Sequence, residues 1–180
     1  MRRRFVVQAT ITGVLVAATA GLATIAHERM AEGPADDAGW RTIAWPFPRD
    51  GFPPGRAWRR GTMEVYVRPK LGFCGNCDTG VVTDEEVDRV TDVDLLDQRF
   101  APANDGSFAR IGALPGRSRL YRYGMSTPRH AEGIAVSQKC DLVAAVIAGD
   151  LADEQQRASA YRLLDSSTVQ AWLAESLEGR

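Results

Sequence analysis

The chain predicts an α+β fold, a mostly antiparallel sheet with helices on one face, preceded by one N-terminal transmembrane helix. Three observations carry that expectation. Residues 5–26 are free of charge and follow directly on Arg2-Arg3-Arg4. Short apolar runs with turn residues between them fill the middle of the chain, as strands of a meander do. Segments with apolar residues at helical spacing flank those runs.

The 22 residues from Phe5 to Ala26 are long enough to cross a hydrocarbon core of about 30 Å as a helix. The arginine flank then stays cytoplasmic and everything after His27 lies beyond the membrane. The stretch from Gly13 to Ala26 alone has the length of a signal-peptide core, and Ala18-Thr19-Ala20 and Thr24-Ile25-Ala26 have the small-x-small form of cleavage sites. Apolar character reaching back to Phe5 favours a retained anchor. The expected location is the inner (plasma) membrane, single pass, with a periplasmic C-terminal domain touching the lipid bilayer through residues 5–26. Three segments follow: residues 1–28 as transmembrane anchor or uncleaved signal, 29–58 as tether and aromatic strap, and 59–180 as the extracytoplasmic α+β domain.

Composition suits one tethered domain, since hydrophobic residues at 44% and charged residues at 25% are ordinary for a globular chain. Without residues 1–28 the balance is 19 basic to 22 acidic residues. That mild acidity excludes the basic footprint of a nucleic-acid binder.

Glu28 to Gly39 is rich in Ala, Gly and acids and reads as a tether. From Trp40 to Trp58, aromatics are interleaved with Pro46, Pro48, Pro53 and Pro54, which fix φ and remove donors, so an extended or turning strap is predicted. Trp40, Trp45, Phe47, Phe52 and Trp58 each carry a large apolar surface. They either strap the domain's own core or dock on a partner, and a larger membrane assembly is the partner class expected.

Met63, Val65 and Val67 share one face of a strand that Pro69 should close. Gly72 to Gly80 is a loop of turn formers. Thr83 stands three before Glu86, the spacing of a capping box, and Val87, Val90, Val93 and Leu96 predict one helix over 84–98 with an acidic, solvated outer face. Short strands are expected around Phe108–Ile111 and Ser118–Tyr123. The apolar stretch from Glu132 to Ala148 should form the sheet's centre as a strand pair or one long bent strand. Residues 151–164 read as a helix, and Ser166 or Ser167 caps a last one lined by Val169, Trp172, Leu173 and Leu177.

The cysteines carry the only pattern with chemical content. Cys74 and Cys77 form a C-x-x-C, and Cys140 stands alone in the apolar region. Beyond the membrane thiols oxidise, so a structural disulfide joining the 74–77 loop to Cys140 is the leading expectation. Thiol exchange with Cys74 as nucleophile is disfavoured, because Asp78 to Val82 separate the pair from the helix start that would stabilise a thiolate. A zinc set of Cys74, Cys77, His130 and Cys140 has acceptable chemistry, but only its first half has a zinc-like spacing.

Asp92, Asp94 and Asp97 do not have the spacing of a calcium loop, no serine sits in a nucleophile elbow, and no phosphate loop is present. The sequence therefore favours a protein without an enzymatic reaction or cofactor, in a binding, accessory or structural role, with a thiol-redox or zinc-dependent periplasmic protein as the alternative.

Overall fold

The computed structural model describes residues 32–48, 51–72, 80–81, 83–124 and 128–178. Eight strands form one antiparallel sheet: β1 (Arg41–Ile43), β2 (Arg56–Arg60), β3 (Met63–Lys70), β4 (Ala101–Pro102), β5 (Ser107–Ile111), β6 (Leu114–Tyr123), β7 (Arg129–Gln138) and β8 (Asp141–Gly149). Their spatial order is β1-β2-β3-β8-β7-β6-β4, with β5 also paired to β6. Four helices complete the described fold: α1 (Asp84–Val90), α2 (Val93–Leu96), α3 (Glu154–Leu164) and α4 (Ser167–Glu178).

The apolar centre foreseen at 132–148 is a strand pair. β7 and β8 turn at Lys139, which adopts φ 56, and run in register from Gln138 and Asp141 to His130 and Gly149. With β3 hydrogen-bonded to β8, these are the buried middle of the sheet.

Helices lie on both faces of that sheet, not on one. Along β3, Val65 and Val67 face α3 and α4, joining Ile134, Val136, Val143, Ala145 and Ile147 over Leu164, Val169 and Leu173. Tyr66 points the other way, with Ala131 and Val146, against Val93 of α2. Val87 and Val90 of α1 pack there on Ala135 and Leu142. A strand buried on both faces reads as a continuous apolar run. The sequence 131–136 and 142–147 has that character, which is why a second helical layer was needed. Each fully buried Val, Leu or Ile contributes about 1.5–3 kcal/mol, so both layers are held mainly by this term.

Three further differences have local causes. The helix expected over 84–98 divides at Thr91 and Asp92, where Thr91 Oγ1 bonds back to Val87 O and the chain turns extended. The capping box at its start is present, with Glu86 N–H donating to Thr83 Oγ1 and Thr83 N–H donating to Glu86. Pro69 does not close β3: the strand runs on to Lys70, because β2 ends opposite Val67 and the missing donor falls on a free edge. The strap supplies two strands of the sheet, β1 and β2, joined to β3 by a tight turn in which Gly61 adopts φ 59.

No helix among the described residues is long and apolar enough to cross a membrane. The expected span at 5–26 lies outside the described residues.

Candidate functional site

The corner where β3 leaves the sheet holds Cys140 and three of the strap aromatics, Trp45, Phe47 and Phe52. Cys74 and Cys77 lie outside the described residues, but both ends of their loop are placed. Gly72 N–H donates to Asp141 Oδ1 at 2.6 Å. At the other end Gly80, with φ 71, approaches so closely that a Cβ there would lie 2.2 Å from Ser137 Oγ. Ser137 and Asp141 bracket the β7–β8 turn that carries Cys140. The loop thus begins and ends on the hairpin of the third cysteine.

Beside it sits a buried ionic cluster. Asp92 Oδ2 accepts from Arg68 Nε at 3.0 Å, while Oδ1 accepts from Arg68 Nη2 and from Lys70 Nζ, each at 2.8 Å. All three side chains are buried, with Arg68 only 2% exposed. The strap covers the pair: the Arg68 guanidinium lies 5.7 Å from the Trp45 ring and 5.6 Å from Phe52, and Lys70 Nζ lies 5.6 Å from Phe52. Trp45 and Phe47 contact edge to face at 4.9 Å, and Phe47 packs on Tyr66 at 5.1 Å. Gly55 permits this, since a Cβ there would strike the Trp45 ring. Trp40 and Trp58 are buried in the principal core on the opposite face. All five strap aromatics therefore have a place within the chain.

The acidic face of α1 is solvated only in part: Glu85 and Asp88 are exposed and Asp84 is half-buried, and two of these acids also pair with the sheet. Asp84 accepts from Arg117 Nε at 2.5 Å and from Gly106 N–H at 2.9 Å, and Asp88 accepts from Arg119 Nη1 at 2.6 Å and from the Tyr121 hydroxyl at 2.5 Å. The two acids are one helical turn apart and face arginines that alternate along β6, so they clamp α1 to the sheet. Asp92 is buried in the cluster above and Asp97 pairs with Arg99.

His130 lies at the far end of β7. Gln138 lies eight residue steps along the strand from it, about 26 Å, so no single ion reaches from His130 to the Cys140 turn. Among the described residues no group of three His, Cys, Asp or Glu is arranged to hold a metal. His130 instead borders a cleft of about 610 Å³ with Glu64, Asp97, Tyr123, Arg129 and Asp150. Several of its polar groups are engaged with neighbours: Glu64 with Arg59 and Tyr66, Asp97 with Arg99, Tyr123 with Arg129.

A buried carboxylate that the sequence reading passed over lies under α3. Glu132 is 0% exposed; its Oε2 accepts from Arg157 Nε at 2.8 Å, and its Oε1 from Arg157 Nη2 and the Tyr161 hydroxyl, both at 2.7 Å. A signal existed. Glu132 has the parity of Ile134 and Val136, the core face of β7, and a carboxylate in that series needs a cation.

These bonds set the pH response. Gly106 N–H, then Arg117, hold the Asp84 carboxyl below the usual range; the Gln156 side chain and backbone do the same for Asp153, and Arg99 for Asp97. A depressed carboxyl contributes stability above its unfolded value near 3.9 and loses it as pH falls through the folded value. Burial, then nearby carboxylates, push the Tyr66, Tyr121 and Tyr161 hydroxyls up. A raised phenol contributes stability below its unfolded value near 10 and loses it as pH rises through the folded value. The melting temperature is expected to hold between about pH 5 and 9 and to fall on both sides, with Asp84→Asn flattening the acid limb. An acid limb of unchanged steepness in Asp84→Asn would remove the Asp84 assignment.

What the fold and corner define is an antiparallel α+β domain with helices on both faces and internally satisfied ionic clusters. No buried side-chain nitrogen or oxygen among the described residues lacks a hydrogen-bond partner. No family model, curated protein or solved structure matches the chain.

Proposed function

We propose that the chain is a membrane-anchored periplasmic protein with a binding, accessory or structural role, held by residues 5–26 and stapled by a disulfide between the Cys74–Cys77 loop and Cys140. The observation that carries this reading is the docking of both loop ends on the β7–β8 hairpin, through Gly72 to Asp141 and through Gly80 against Ser137. Loop ends fixed on this hairpin support a bridge from the loop to the Cys140 turn. The bridge closes more than 60 residues of chain, counting from either Cys74 or Cys77 to Cys140. In the chain-entropy account that is worth roughly 4 kcal/mol. The Arg2-Arg3-Arg4 flank and the charge-free span supply the membrane part of the reading.

The internal pairing of Asp84, Asp88, Asp92 and Glu132 supports a structural use of these charges. The expected test results are a reporter after Arg180 that is active only outside the cytoplasm, and one reactive thiol per unfolded, unreduced chain. Three reactive thiols with bound zinc would transfer the corner to the metal reading. Loss of a disulfide-reductase activity in Cys74→Ser would transfer it to thiol exchange.

A further inference from the structure

A cleft on the opposite side of the domain combines an apolar floor with two arginines that have no carboxylate. It runs between the β2–β3 turn, the Asp36–Trp40 turn before β1, and α3. Two adjoining cavities make it up, of about 510 and 400 Å³, sharing Trp40, Arg60 and Ser159. Each falls within the range of small-molecule sites, about 300–1,000 Å³. The larger reaches Met63 and Gln156, and the smaller reaches Arg162.

Trp40 and Met63 belong to the principal core, so the floor is rigid and apolar. Ser159, also buried, accepts a hydrogen bond from Arg60 Nη1, which holds that guanidinium over the cleft. Arg162 stands in the last turn of α3. Among the described residues Arg59, Arg68, Arg99, Arg117, Arg119 and Arg157 pair with carboxylates; Arg60 and Arg162 are among the arginines without such a pair, and they are the two that line this cleft. Of the acids at the rim, Asp36 turns its Oδ1 to the backbone N–H groups of Ala38 and Trp40. Asp37 is exposed.

We propose that this cleft binds an amphipathic organic anion. Its oxyanion head sits in the smaller cavity between Arg60 and Arg162, where guanidinium forks match phosphate or carboxylate geometry. Its apolar part lies in the larger cavity against Trp40 and Met63. The site belongs wholly to the folded domain and does not rest on the anchored, disulfide-stapled reading. An anionic lipid headgroup and a soluble alkyl phosphate present the same chemistry here.

Full-length protein in phosphatidylcholine nanodiscs, titrated with hexyl phosphate and followed at the Trp40 indole N–H resonance, tests this. Saturable binding is expected, with hexyl glucoside and inorganic phosphate each binding at least about tenfold more weakly. Arg162→Gln, which removes no hydrogen bond from the fold, is expected to weaken hexyl phosphate about tenfold at an unchanged melting temperature, and Arg60→Gln to weaken it about tenfold with a lower melting temperature, since its hydrogen bond to Ser159 is lost. A Trp40 shift in phosphatidylglycerol nanodiscs without added ligand supports the proposal and names lipid as the source. A response to hexyl phosphate alone supports it and names a soluble anion. Hexyl glucoside or inorganic phosphate binding as tightly as hexyl phosphate, or full affinity retained in Arg162→Gln, overturns it.

Discussion

Arg157→Ala is expected to lower the unfolding free energy by about 3 kcal/mol, and Glu132→Ala by less. Breaking a buried pair from one side costs about 3–5 kcal/mol, because the remaining charge is left without compensation. The Arg157 side chain is 36% exposed, which sets the figure at the low end; Glu132 is fully enclosed and retains only the Tyr161 hydroxyl once the guanidinium is gone. Removing Glu132 leaves a cation that reaches water, so the two single variants differ in the direction burial dictates. With about 2–4 °C per kcal/mol at this chain size, Arg157→Ala should melt roughly 6–12 °C lower. Tyr161→Phe keeps the two-pronged pair and should cost about 1 kcal/mol. The decisive comparison is Glu132→Leu with Arg157→Met: similar volume without charge is expected to recover most of the loss. A double variant as unstable as Arg157→Ala alone would show that the ion pair itself holds α3 to β7.

The elements that sequence periodicity exposes are those whose environment is uniform along their length. Val87 and Val90 announced α1, Met63, Val65 and Val67 announced one face of β3, and Val169 and Leu173 announced α4, because each series meets a single apolar layer. The break at Asp92 was illegible for the opposite reason: its cause lies in Arg68 and Lys70, more than twenty residues earlier, and no local pattern couples them. The same holds for the α1 clamp, where Asp84 and Asp88 read as a wet face until β6 brings Arg117 and Arg119 beside them. β1 and β2 were hidden by the prolines around them, which describe the strap's bends between the strands. Of the candidate site, C-x-x-C and Cys140 were legible as residue types. The placement of the loop's two ends, Gly72 and Gly80, on the β7–β8 hairpin was not legible, because it is a tertiary fact.

Asp92 is the second place where a large effect is expected, and its position allows two physical roles to be separated. It occupies the N-cap of α2, yet its side chain makes no capping hydrogen bond and reaches instead to Arg68 and Lys70. As a cap, asparagine would serve about as well as aspartate. As the anion shared by two buried cations, it cannot be replaced by a neutral amide. Asp92→Asn and Asp92→Ala are therefore both expected to cost about 3–5 kcal/mol, since either leaves buried positive charge in excess. Exposed Asp94→Asn on the same helix should change stability by no more than about 0.5 kcal/mol. The loss should also register in the strap, because Trp45 and Phe52 rest on the cations that Asp92 holds in place. Denaturant unfolding gives the energies and tryptophan emission reports the strap, which is expected to shift to the red as Trp45 gains water. Near-wild-type stability in Asp92→Asn combined with a large loss in Asp92→Ala would return the residue to a hydrogen-bonding role and leave the two cations to their other neighbours.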